Sequence, residues 1–114
     1  MPAQKFRKRP IVIEAIQWTD DNEAEIQAWA GLSAGTDGQN LFNALDPEDR
    51  ANCEDPYATA QVFDRLHSTW VLVLPGQWVI RGVQGEFYPI AADVLAQTYE
   101  RVTRLDDGIT TVVA

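Results

Sequence analysis

The alternation of apolar and polar positions predicts β-strands in two regions of the chain. Residues 10 to 18, PIVIEAIQW, alternate with both faces partly apolar, which predicts a central or twisted strand. From residue 59, ATAQVFD and TWVLVL flank RLHS and predict a hairpin. Pro75 and Gly76 then predict a tight turn, QWVIRG a strand, and GVQG a turn into EFYP. Residues 60 to 88 are therefore expected to form a three- or four-stranded meander.

A helical period replaces this alternation in TDDNEAEIQAWAG, which predicts a short amphipathic helix over residues 21 to 30. Asp20 and Glu23 have the spacing of a capping box, and Gly31 is a stop signal. The apolar stripe of this helix is Ile26, Trp29 and Ala30.

Residues 32 to 58 carry no clear period and contain two Asp-Pro steps. They predict a long loop with at most one helical turn near Pro47 to Ala51, and NLFNAL within it fits a short strand or a buried turn. Further along, ADVLAQ predicts a short helix and TYERVTRL a strand. Residues 106 to 114 fit either a last hairpin arm or a loosely held tail.

Together these elements predict an α+β fold, a small twisted antiparallel sheet or open barrel with one or two short helices. The 114 residues and 46% hydrophobic composition suit a single domain over residues 1 to 114. We expect the strand at residues 10 to 18 to pair near the TYERV strand.

Composition favours a cytoplasmic protein. No stretch approaches the ~20 apolar residues of a membrane-spanning helix. The basic and then apolar start superficially resembles a signal peptide, but it contains Glu14 and Gln17 and has no small-residue cleavage site. Cys53 is the single cysteine, so an intrachain disulfide is impossible, which fits a reducing compartment.

Charge is unevenly distributed. The net charge of −8 argues against a general nucleic-acid binder, which needs clustered Lys and Arg. Between Asp20 and Asp64 there are eleven acidic residues and one basic residue, Arg50. Four of the nine basic residues lie together near the start: Lys5, Arg7, Lys8 and Arg9. These are either two solvated regions or a surface that mimics or recruits a charged partner.

Candidate catalytic and metal-binding groups are few. His67 is the only histidine and lies in a predicted hairpin turn, and neither it nor Cys53 has an identifiable catalytic partner. We therefore expect no enzymatic activity, no metal and no cofactor. One cluster of carboxylates lacks the EF-hand spacing and fits a solvated loop better: Asp46, Glu48, Asp49, Glu54 and Asp55.

Aromatic residues concentrate in the predicted strands, where most should be core. A minority could line a groove made of Trp78 and Tyr88 with Arg81 and Glu86 at its rim, giving a ligand or partner site. The alternative is that Arg81 and Glu86 simply pair across the hairpin.

Two segments, KFRKRPIVIEAIQW (5 to 18) and PGQWVIRGVQGEFYPIAADVLAQTYE (75 to 100), resemble a family of small phage and prophage proteins. The family pattern begins K-F-R-K-K-P-V-V-I-E-A-x-Q-W and ends P-G-D-W-I-I-x-G-V-x-G-E-F-Y-P-C-K-P-D-I-F-x-x-T-Y-E. This chain departs from it at Gln77, where Asp is usual, at Ile90, where Cys is common, and in a longer acidic segment over residues 32 to 58. The resemblance implies a phage or prophage origin and supplies no activity.

Three functional hypotheses follow. The first is a non-enzymatic accessory protein that binds a host protein in the host cytoplasm and modulates host physiology or defence. The second is a virion-associated structural protein, such as a minor capsid or decoration component, whose basic segment and tail reach neighbouring subunits. The third is a small-molecule binder or enzyme that uses the aromatic groove. The partner is accordingly a host protein or a phage virion protein, with no membrane involved.

Overall fold

A computed structural model of the protein describes residues 2–7, 9–32, 38–106 and 109–113, with the backbone alone from residue 103. Within these residues the chain forms eight strands and three helices. In order they are β1 Glu14–Gln17, α1 Glu23–Ala30, β2 Phe42–Ala44, α2 Pro47–Ala51, β3 Ala60–Asp64, β4 Thr69–Val73, β5 Trp78–Arg81, β6 Phe87–Ile90, α3 Ala92–Thr98, β7 Arg101–Asp106 and β8 Ile109–Val113.

The strands form two three-stranded antiparallel sheets and one separate hairpin. The first sheet has the order β1-β5-β6, the second β2-β3-β4, and β7 pairs with β8. Neither three-stranded sheet closes into a barrel. The predicted α+β class is confirmed. Of the two alternatives for residues 106 to 114, a last hairpin arm or a loosely held tail, the structure shows the hairpin arm, β8.

The prediction of one continuous meander over residues 60 to 88 is wrong, because β4 and β5 belong to different sheets. The Pro75-Gly76 turn is present, with the Gln77 amide donating to the Leu74 carbonyl at 3.1 Å. Gly76 has φ +85°, which glycine adopts at little cost in this turn. The Gly76 amide then donates to the carbonyl of Trp18 at 2.9 Å, so the turn extends the β1–β5 ladder instead of returning to β4.

The strand predicted over residues 10 to 18 is shorter and lies elsewhere than expected. It spans Glu14–Gln17, pairs in the described residues with β5 alone, and is therefore an edge strand of its sheet. The expected pairing near the TYERV strand is wrong, since β7 pairs with β8. The two family-like segments nevertheless meet, because Gln17 lies opposite Trp78.

Helix α1 has the predicted apolar stripe and ends before Gly31, but its predicted capping box is absent. The N-cap residue is Asn22, and it makes no side-chain cap hydrogen bond. The Glu23 carboxylate instead accepts a hydrogen bond from the Ala44 amide at 2.6 Å, and Gln27 Nε2 donates to the Phe42 carbonyl at 3.1 Å. The helix therefore covers the outer edge of β2.

The core lies between the two sheets and α1. Its buried side chains are Trp18, Ile26, Leu41, Phe42, Ala60, Val62, Val73, Val79 and Phe87. The Trp18 and Phe42 rings meet edge to face with centroids 5.2 Å apart. Because both sheets and α1 contribute to this one cluster, the two sheets and α1 are held in fixed relation to one another.

The long predicted loop is more structured than expected, although residues 33–37 lie outside the described part of the chain. It contains β2 and, at the predicted place, the single turn of helix α2. The Asp46 carboxylate accepts a hydrogen bond from the Asp49 amide at 2.8 Å and caps α2, with Pro47 in its first turn.

Candidate functional site

The predicted aromatic groove is divided between the two faces of the first sheet. Tyr88 lies opposite Ile80 and therefore on the same face as Trp78, whereas Arg81 lies opposite Phe87 on the other face. The structure thus places Trp78 and Tyr88 together and separates them from Arg81.

Arg81 is held by the fold on the face that packs against α1. Its guanidinium lies 4.9 Å from the Trp29 ring centroid and 5.3 Å from that of Phe87. It donates to the carboxylate of Glu14 at 2.8 Å and to the backbone carbonyl of Trp29 in the last turn of α1. The residue therefore ties β5 to β1 and to the helix end, and its partner is Glu14 rather than Glu86.

Glu86 and Tyr88 also have local partners. Glu86 accepts a hydrogen bond from the Gln84 amide at 2.9 Å, and its carboxylate occupies the space where a Cβ on Gly82 would stand. Burial and a hydrogen bond with Tyr99 raise the pKa of the half-buried Tyr88 to about 12. A phenol of such high pKa stays neutral at physiological pH.

An open groove of about 630 Å³ lies elsewhere, where β1 ends beside the turn between β4 and β5. Its volume is in the usual range of ligand pockets. One wall comes from the acidic segment and consists of Ala44, Leu45, Arg50, Pro56 and Tyr57. A second wall, which adjoins the first where the Leu45 amide donates to the Thr59 carbonyl at 2.9 Å, consists of Trp18, Asp20, Thr59, Leu74 and Pro75.

A short chain of hydrogen bonds crosses the second wall of the groove. The buried indole of Trp18 donates to the Thr59 hydroxyl at 2.8 Å, and that hydroxyl donates to the Asp20 carboxylate at 2.6 Å. Asp20 has φ +70°, an uncommon conformation that Asp tolerates better than most residues. This conformation persists only where its surroundings hold it, which sets the position of the Asp20 carboxylate in the groove.

The groove wall also carries side chains without a partner in the described part of the chain. Among the described residues, the Arg50 guanidinium makes no hydrogen bond or ion pair. Tyr57, which lines the same wall, is 74% exposed, an unusual degree of exposure for a large aromatic residue. A cation and an aromatic ring are thus available to a partner at the same wall.

The five predicted acidic residues divide into structural and free carboxylates. Asp46 caps α2, and Asp55 accepts a hydrogen bond from the Tyr57 amide at 2.9 Å. The other three are exposed, and within the described chain their carboxylates make no hydrogen bond or ion pair: Glu48, Asp49 and Glu54. All five lie within the segment that forms the first wall of the groove.

Sequence reasoning missed the groove. It assigned Asp20 to a helix cap and Trp18 to the core, and it singled out neither Thr59 nor Tyr57. One local signal existed, because Tyr57 follows an Asp-Pro step that favours an exposed turn. The contact between Trp18 and Thr59 spans 41 positions, and no local pattern indicates it.

The structure also locates the residues considered for catalysis and metal binding. His67 lies in the β3–β4 turn and contacts the Asp64 carboxylate through Nδ1 at 2.6 Å. Cys53 is half-buried just after α2. In the described part of the chain, no group of three or more His, Cys, Asp or Glu residues is placed to hold a metal ion. No helix among the described residues is long and apolar enough to cross a bilayer.

Comparisons with protein-family models, curated proteins and solved structures gave no match to this chain.

Proposed function

We propose that this chain is a non-enzymatic accessory protein that binds a partner protein through the groove and its acidic rim. The observation that carries the proposal is the wall over residues 44 to 57. Its lining includes the exposed Tyr57 and Arg50, whose guanidinium has no partner among the described residues, and the same segment carries the three free carboxylates. Tyr and Arg are the residues that most often dominate binding energy in interfaces, and the surrounding charge favours a basic partner surface.

The phage-family resemblance favours a host protein as that partner. A phage-encoded accessory protein acts in the host cytoplasm, where an acidic recognition surface would modulate host physiology or defence by occupying a basic surface of its target. The affinity would depend on salt, because exposed charges are screened within about 8 Å at physiological ionic strength.

The test is affinity capture of the tagged chain from infected host cells, followed by reconstitution with the purified captured protein. A triple variant, Glu48→Gln, Asp49→Asn and Glu54→Gln, removes the free carboxylates and leaves the Asp46 cap and the Asp55 turn intact. The matched control, Glu25→Gln, Asp93→Asn and Glu100→Gln, changes the charge equally at exposed positions outside the groove.

The expected result is direct binding of one host protein that the groove triple and Tyr57→Ala weaken and the control triple leaves unchanged. Equal loss in both triples would show a non-specific charge effect and would contradict the proposal. Capture of capsid or tail proteins instead would support the virion-associated alternative. A small ligand retained in native mass spectrometry, and lost in Tyr57→Ala, would support the small-molecule alternative, for which the groove has a suitable volume.

A further inference from the structure

The segment that precedes β1 is exposed and carries apolar and basic side chains without partners. In the described residues 2–7 and 9–13 it forms neither helix nor strand. Phe6 is 89% exposed, and Ile11 and Val12 are 44% and 50% exposed. No hydrogen bond or ion pair involves any described basic side chain here, which are Lys5, Arg7 and Arg9.

An aromatic side chain as exposed as Phe6 gains free energy when any apolar surface covers it, since burial contributes roughly 25 cal/mol per Å². Its neighbours restrict the surface that suits it. Lys5 and Arg7 flank it directly, so a favourable site combines an apolar recess with an acidic rim.

The groove described above has this combination. Leu45, Leu74 and Tyr57 supply apolar lining, and Asp20 supplies a carboxylate in the lining itself. The free carboxylates of Asp49 and Glu54 are one and two positions in sequence from the lining residues Arg50 and Pro56. The rest of the chain beyond the basic segment holds all 17 acidic residues against five of the nine basic ones. The strongest complement to the basic segment that the molecule offers is therefore its own acidic segment over residues 44 to 57, which forms one wall of the groove.

Strand direction determines which copy supplies that groove. The basic segment joins β1 at Glu14, whereas the groove lies beyond the other end of β1, at Trp18. Residues before Glu14 therefore lead away from the groove of their own copy, and Phe6 remains exposed. The segment therefore reaches the groove of a second copy without having to turn back along its own β1.

We infer that the basic segment of one copy docks in the groove of a second copy and against its acidic segment, with Phe6 inserted among Leu45, Leu74 and Tyr57. The interaction uses the groove of the proposed function, so self-association and partner binding exclude each other there. Basic residues of the segment face Glu48, Asp49 and Glu54 of the other copy.

Analytical ultracentrifugation of the full purified chain tests this inference, over a wide concentration range at low and at high salt. We expect concentration-dependent association that high salt weakens. Phe6→Ala should weaken it about tenfold, the effect of losing an interface anchor. Leu66→Ala is the matched control, because Leu66 is 51% exposed in the β3–β4 turn, outside the basic segment and the groove lining, and it should change nothing.

A charge exchange identifies the surfaces. Arg7→Glu with Arg9→Glu should abolish association, as should Glu48→Lys with Asp49→Lys, whereas a mixture of these two variants should form the complex again. A chain that is monomeric at every concentration, or association that Phe6→Ala leaves unchanged, would overturn the inference. No host protein is present in this experiment, so its failure leaves the binding result for the proposed function intact.

Discussion

The indole Nε1 of Trp18 donates a hydrogen bond to the hydroxyl of Thr59 at 2.8 Å, and the same hydroxyl donates to Asp20 at 2.6 Å. One hydroxyl therefore satisfies a buried donor of the core and orients a carboxylate of the groove. The core and the candidate site share this residue, so changes to it should affect both.

Thr59→Val should lower the free energy of unfolding by about 1–3 kcal/mol, because the indole N–H of Trp18 would be buried without an acceptor. Trp18 is only 1% exposed, so water cannot replace the lost partner without opening the core. Urea unfolding followed by tryptophan fluorescence measures the change. Thr59→Ser keeps the hydroxyl and should stay close to wild type, and equal stability of Thr59→Val and Thr59→Ser would show that the hydrogen bond contributes nothing.

Two tryptophans, Trp18 just after β1 and Trp78 at the start of β5, should differ in their importance for stability. Trp18→Ala should cost about 3–5 kcal/mol, as expected for a fully buried aromatic side chain. Trp78 is half-buried and lies outside the main core cluster, so Trp78→Ala should cost clearly less. Equilibrium denaturation of both variants gives the two losses in free energy of unfolding. A larger loss for Trp78→Ala than for Trp18→Ala would contradict the prediction.

Arg81 should matter for stability rather than for binding. Arg81→Met keeps the apolar stem but loses the charged hydrogen bonds to Glu14 and to the Trp29 carbonyl, which should cost about 2 kcal/mol. Glu14→Gln should cost less than about 1 kcal/mol, because its side chain is 63% exposed. Thermal unfolding gives the two values. If Arg81→Met weakens binding of the partner protein and leaves the stability of the chain unchanged, Arg81 belongs to the binding surface and this prediction is wrong.

Local patterns predicted most elements of this fold but not how the strands combine. The hairpins around residues 65–68 and 82–85 and the stripe of α1 depend on near neighbours, which the sequence displays. The route through Pro75-Gly76 depends on the backbone of Trp18, more than fifty positions away. Consecutive strands pair about two-thirds of the time, and that rule led to the prediction of a continuous meander. In the structure β4 and β5 instead belong to different sheets.

The candidate site was predictable only in its acidic half. The charge imbalance of the middle segment is visible in the sequence, and residues 44–57 supply five of the residues that line the groove. The five predicted carboxylates are not in that lining but belong to the same segment. Which of them are free is a structural result, because Asp46 and Asp55 make local hydrogen bonds. The predicted aromatic groove failed to assemble because strand alternation places Arg81 and Trp78 on opposite faces.

The Asp64–His67 pair should give the protein an acid-dependent loss of stability. The hydrogen bond from His67 holds the pKa of Asp64 below its ordinary value of 3.8. The ionised carboxylate is therefore favoured in the folded state, and its contribution is complete above pH 3.8 and lost as the pH falls through the lowered value. Urea midpoints measured across acidic pH should fall less steeply for Asp64→Asn than for wild type. Asp93→Asn removes an exposed carboxylate elsewhere and serves as the control, and parallel curves for wild type and Asp64→Asn would refute the role of the pair.

Tyr88 should make the folded state less stable at alkaline pH. Burial, followed by the hydrogen bond with Tyr99, raises the pKa of Tyr88 to about 12, whereas its ordinary value is 10.0. The neutral phenol is favoured in the folded state, so the stabilisation is complete below pH 10.0 and is lost as the pH rises toward about 12.

Absorbance titration of the phenolate should show one late-titrating tyrosine that disappears in Tyr88→Phe and titrates earlier in Tyr99→Phe. Tyr57→Phe removes a tyrosine that is 74% exposed and should leave the late phase in place. A late phase that survives in Tyr88→Phe would mean that another residue, and not the Tyr88 phenol, resists ionisation.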